Sequence, residues 1–150
     1  MVLDARVPGW ETSAWLTEDS FCVRTARSDG ERKGRENEFV FCDPAPPALT
    51  SAGPPLLPAK PLPYAVPLDP HSREIILVGI TRGAVVSVSV TMFDQTVTAA
   101  VHPLPTPGSH QVGAYAAWLP RSGAIPNGMD LSDVAIVGRN VDGTVVARLD

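Results

Sequence analysis

Apolar and polar positions alternate along this chain in short runs, and the runs recur often enough to predict a protein built from strands. The clearest is "AVVSVSVTMF" (84–93), which turns through Asp94-Gln95 into "TVTAAVH" (96–102). Pairing Phe93 with Thr96 puts Val86, Val88, Val90 and Met92 on one face with Val97, Ala99 and Val101. Ser87, Ser89, Thr91, Thr98 and His102 then share the other face. A sheet buried on one side and wet on the other requires this division, because side chains alternate with a period of two.

A second hairpin is predicted at the C-terminus, where "SDVAIVGRNV" (132–141) and "TVVARL" (144–149) flank Asp142-Gly143. That pair suits a two-residue turn, since glycine accepts positive φ freely. Pairing Val141 with Thr144 places Arg139 opposite Val146 and Val137 opposite Arg148. Ile136, Gly138, Val145, Ala147 and Leu149 then face a core.

Further strands are predicted at "SAWLT" (13–17), "SFCVRTA" (20–26), "EFVFC" (38–42), "REIILVGI" (73–80) and "QVGAYAAWL" (111–119). The total is about eight or nine short strands punctuated by glycine and proline. No segment of ten or more residues carries helical apolar spacing with a cap. The fold class expected is therefore all-β. Sheets this wide must cover their apolar face, and without helices only another sheet can do it. The specific expectation is an immunoglobulin-like β-sandwich of antiparallel strands, forming one domain over residues 1–150.

The middle of the chain breaks the pattern. Ten of the sixteen prolines lie in residues 44–70. Proline removes ladder donors, so this stretch is excluded from a central strand and is expected to run extended over the body as a long crossover. Leu56, Leu57, Leu62, Tyr64 and Val66 are the residues available to pin it. "PPLLPAKPLP" also has the composition of a polyproline II ligand, but a packed connection accounts for it more simply.

Composition narrows the partners. Apolar residues make up 44% and charged ones 19%, which is globular, and a net charge of −4 with pI near 5.3 argues against a nucleic-acid surface. Arg24, Arg27, Arg32, Lys33 and Arg35 cluster, yet Asp29, Glu31, Glu36 and Glu38 are interleaved with them. That balance describes a solvated loop. No run of about 18 apolar residues exists, so no membrane-spanning helix is predicted.

The only two cysteines, Cys22 and Cys42, stand at the two ends of that charged loop. If 20–27 and 38–43 pair with Cys22 opposite Cys42, then Arg24 faces Val40 and Ala26 faces Glu38. Directly opposed residues have close β-carbons, so a cross-strand disulfide is expected. Closing a loop of about twenty residues contributes about 3 kcal/mol in the chain-entropy model. A disulfide in turn implies an exported location. The start, "MVLDARVPGW", lacks the charged beginning and apolar centre of a signal peptide, so the chain is either cytosolic or a mature or trimmed ectodomain, and the disulfide decides for the second.

Catalytic chemistry finds little to stand on. There is no GxSxG elbow, HExxH, P-loop or GxGxxG, and no catalytic residue, cofactor site or metal site is assigned. His71, in "LDPHSRE" with Asp69 and Ser72 nearby, is the one histidine with neighbours suited to a site, and is retained as a possible ligand contact. His102 is expected to be exposed and His110 to lie in a loop. Asn127, Asp130 and Asp133 offer hard oxygen ligands, but turn formation explains them without calcium. Trp10, Trp15 and Trp118 are the components of a sugar-stacking platform. Trp118, Tyr64 and Tyr115 read as core residues, whereas Trp10, beside Pro8 and Gly9, is the second possible ligand contact.

Taken in order, "AWLTEDSFCV", the later cysteine, "ILVGITRGAVVSVSVTMFDQTVTAAVHPLP", "GAYAAWLPRSG" and "GRNVDGTVVARL" resemble uncharacterised actinobacterial extracytoplasmic domains, secreted or tethered behind one transmembrane helix. The resemblance covers about two thirds of the chain and rests on turns and core aromatics. It departs from that pattern at Asp94-Gln95, where Asp-Gly is expected, and in the length of the proline-rich insert. It implies an envelope location and β architecture and carries no activity. The expectation is a non-enzymatic binding or sensory domain, monomeric or homodimeric, whose partner is a protein or cell-surface ligand. The alternatives are a carbohydrate-binding module using exposed Trp10 and an enzyme with a site near His71.

Overall fold

The computed structural model describes residues 2–3, 10–27, 38–44, 53–57, 62–69, 72–92, 95–105, 111–119 and 134–149. Within them the chain is all-β, with three antiparallel sheets of four strands each. The N-terminal sheet runs in chain order through β1 (Val2–Leu3), β2 (Trp10–Leu16), β3 (Ser20–Arg27) and β4 (Glu38–Pro44). The middle sheet joins β5 (Leu62–Asp69), β6 (Ser72–Arg82), β9 (His102–Leu104) and β10 (Val112–Leu119), in the order β5-β6-β10-β9. The C-terminal sheet joins β7 (Ser87–Met92), β8 (Gln95–Ala100), β11 (Ala135–Arg139) and β12 (Val145–Leu149), in the order β12-β11-β7-β8.

Two separate cores stack these sheets. Ala14, Phe21 and Val23 of the N-terminal sheet pack with Val78, Ile80, Leu104, Val112, Ala114 and Ala116 of the middle sheet. On the other side, Leu77, Tyr115, Ala117 and Leu119 pack with Val88, Val90, Met92, Ala99 and Ile136 of the C-terminal sheet. The middle sheet is therefore buried on both faces. This is why "VGAYAAWL" is a continuous apolar run: seven of its eight residues are buried, where a half-wet strand would alternate. The sequence reading expected one sheet to cover another; the described chain uses three layers and twelve strands.

Register was legible at the cysteines. Cys22 stands opposite Cys42, Arg24 opposite Val40 and Ala26 opposite Glu38. In the β7–β8 hairpin the pairing lies two residues from expectation, with Met92 opposite Gln95 and Val88 opposite Ala99. A slip of two leaves every side chain on its expected face, so Val88, Val90, Met92 and Ala99 are buried as predicted. Val86 is the exception: it precedes the strand and is 44% exposed, while its neighbour Val85 is buried. His102 is also displaced from the expected wet face, because it opens β9 in the middle sheet.

The C-terminal hairpin needs a correction of one residue. Its loop has three residues, Val141 to Gly143, closed by a hydrogen bond from the Asn140 N–H to the Thr144 carbonyl. Gly143 adopts φ +81° and donates to the Asn140 carbonyl, the arrangement of a turn followed by a left-handed residue. Arg139 consequently faces Val145, and a bulge before Ala147 restores the expected pairing of Val137 with Arg148. Val145 is thereby turned outward, 37% exposed, and Val146 takes its place against the core.

The described part of the proline-rich middle includes a strand that the crossover expectation did not have. Residues 62–69 form β5, and prolines 63 and 67 are tolerated there because β5 is an edge strand. Upstream, Leu56 and Arg82 exchange backbone hydrogen bonds of 3.0 and 2.8 Å, and Leu57 is buried in the second core.

Candidate functional site

Three places in the fold carry features beyond packing. The first is the outer face of the N-terminal sheet. Thr12 and Thr25 face inward, both buried, with their hydroxyls 3.2 Å apart. Their neighbours therefore alternate outward, which puts Trp15, Cys22 and Cys42 in one row across β2, β3 and β4. Cys22 and Cys42 form a disulfide, with α-carbons 4.1 Å apart. Cys22 is buried and Cys42 exposed. Trp15 is half-buried, and Val40, opposite Arg24 in the next row, is 51% exposed.

The second is a cavity of about 320 Å³ where the middle and C-terminal sheets part. The β6–β7 link supplies Gly83 to Val86, the β8–β9 corner supplies Val101, Pro103 and Leu104, and the start of β10 supplies Gln111 to Gly113. None of these side chains is ionisable. The backbone donors of Gly83, Val85, Val86 and Val101 are already committed, to the carbonyls of Gln111, Gly83, Arg139 and Val86. The cavity is therefore lined mostly by apolar groups, with the Gln111 amide as the polar side chain among the described lining residues. Behind it, Thr81 lies opposite Gly113, with a buried hydroxyl that has no hydrogen-bond partner among the described residues. Trp118, expected in the core, is half-buried against the first core, and its indole N–H likewise has no partner among the described residues.

The third is the outer face of the C-terminal sheet. Register places Ser87, Ser89 and Thr91 of β7 beside Thr98 and Thr96 of β8 on one side, and beside Arg139, Val137 and Ala135 of β11 on the other. Thr91 and Thr96 share a hydroxyl–hydroxyl contact of 2.9 Å. The Arg139 guanidinium is held by a hydrogen bond from Nη1 to the Ser89 hydroxyl oxygen at 2.7 Å. Arg148 of β12 continues the face opposite Val137 and is exposed. The face is thus a hydroxyl-rich surface with two cations along one side.

The sequence-derived candidates fare unevenly. The cystine is present as expected. Trp10 opens β2 opposite Arg27, with its side chain outside the described set; His71, His110, Asn127, Asp130 and Asp133 lie outside the described residues altogether. The serine–threonine ladder, expected as a wet face, is joined there by Arg139 and Arg148, which alternation within its own hairpin does not reveal. Among the described residues no group of His, Cys, Asp or Glu is arranged to hold a metal ion, and no helix is long and apolar enough to cross a membrane. Comparison with family models, curated proteins and solved structures found no match to this chain.

Proposed function

We propose that this is a non-enzymatic extracytoplasmic domain that binds a protein partner. The observation that carries the reading is the Cys22–Cys42 disulfide. It joins two strands that their ladder already pairs over seven residues, Ser20 to Ala26. Its contribution lies chiefly in restricting the unfolded chain, a stabilisation that persists only where the compartment keeps thiols oxidised. The binding part of the reading is supported by the outer face of the C-terminal sheet, whose hydroxyls and cations, Arg139 among them held by Ser89, suit recognition rather than bond-making. The proposal also takes the middle and C-terminal sheets, which share a core, as the immunoglobulin-like pair of an envelope domain of the kind the sequence resembles.

Intact mass after thiol alkylation tests the location. Protein taken from an oxidising compartment is expected to label only after reduction, at both cysteines. If both thiols label in the native protein without a reductant, the exported reading is wrong.

A further inference from the structure

We infer that the outer face of the C-terminal sheet docks an acidic polypeptide segment; this rests on the binding reading above and names the partner's chemistry.

Charge is the first ground. The whole chain carries a net charge of −4, yet the charged residues that register places on this face, Arg139 and Arg148, are both cations. Among the described residues no carboxylate pairs with either. The nearest described acid in sequence, Asp142, belongs to the hairpin loop beyond, where its backbone N–H is bound to the Asn140 side-chain oxygen. Arg139 is also pre-oriented by its 2.7 Å hydrogen bond to Ser89, which lowers the entropy lost when a carboxylate meets it.

Spacing is the second ground. Arg148 stands opposite Val137 on one side, and Ser89, which holds the Arg139 guanidinium, stands opposite it on the other. The two cationic groups therefore flank Val137 across three adjacent strands, a span of about 10 Å that carboxylates of one short acidic segment can bridge.

Apolar contact is the third ground. Val137 lies within the row between the cations, and the hairpin bulge turns Val145 outward beside Arg139. Small or apolar residues of a polypeptide can use that surface, whereas a sugar-phosphate polymer has little to place there. On the far side the exposed hydroxyls of Thr91, Thr96 and Thr98 are available to backbone or side-chain polar groups.

The test is binding of fluorescently labelled poly-L-glutamate to the intact oxidised protein, read by anisotropy, with polyphosphate as a competitor. Binding is expected at low salt and should weaken as ionic strength approaches about 0.15 M. Arg148→Gln, at an exposed position, is expected to weaken it about threefold, and Arg139→Gln/Arg148→Gln about tenfold, as for exposed charge pairs. Unchanged melting of Arg148→Gln establishes that the loss is not one of folding. Equal binding by wild type and the double variant overturns the inference. Polyphosphate binding as tightly as poly-L-glutamate, with the same loss in the variants, overturns it too, since the face would then select charge alone. Freely labelled thiols would defeat the location reading while leaving this result intact; protected thiols with no polyglutamate binding would defeat this inference alone.

Discussion

Tyr115 shows most directly how one residue's surroundings decide its chemistry. It is 1% exposed, and its ring lies over Gly79, its cross-strand partner, in the space where any side chain at residue 79 would sit. The glycine inside "ILVGI" is thus required by close approach of an aromatic ring. Burial pushes the Tyr115 phenol well above its ordinary pKa of 10.0. The unfolded chain releases that proton above pH ~10 while the folded chain keeps it, so the unfolded state binds fewer protons there and stability falls with rising pH. The expected slope is about 1.4 kcal/mol per pH unit above pH ~10, read from urea midpoints. Tyr115→Phe should flatten it; an identical slope in both proteins would show that Tyr115 is not responsible.

Among elements, the β11–β12 hairpin shows how a turn sets the composition of a surface. The sequence reading matched the far end, Val137 opposite Arg148, and missed the near end by one residue, because Asn140 competes for the turn. Its side-chain oxygen accepts hydrogen bonds from the Asp142 and Thr144 N–H groups, at 3.0 and 3.1 Å, which favours a three-residue loop over the two-residue one. The extra loop residue is compensated by the bulge. Asn140→Ala is expected to cost about 1 kcal/mol by removing that acceptor. Gly143→Ala should cost about 1 kcal/mol through its positive φ alone, since nothing lies within 4 Å of the added methyl. Thermal or urea unfolding of the two variants measures both. Prolines have a comparable role at the edges of the middle sheet. Pro63 and Pro67 lie in β5 and Pro103 in β9, the two outermost strands, where missing donors blunt further pairing.

For the molecule as a whole, the layering determines where stability resides. β10 is paired with β6 along its full length and with β9 at its start, and it contributes to both cores. β12 is an outermost strand with no fully buried residue. Amides of β6 and β10 are therefore expected to exchange with solvent only through global opening, and those of β12 through smaller local openings. Native-state hydrogen exchange across a denaturant series separates the two; equal protection in β10 and β12 would contradict this layering.

Local patterning by itself determined the all-β class, the register at Cys22–Cys42 and the buried face of β7, because each depends on side-chain alternation within one hairpin. Those relations involve neighbours in sequence, and a period of two carries them. Only the tertiary structure decided that "VGAYAAWL" is sandwiched, since a continuous apolar run shows burial on both faces without showing what covers them. It also decided that Arg139 and Arg148 gather beside the hydroxyl ladder. That arrangement joins β7, β8, β11 and β12, with Asn140 and one bulge setting the near end of the last pairing, and long-range strand order cannot be read from alternation alone.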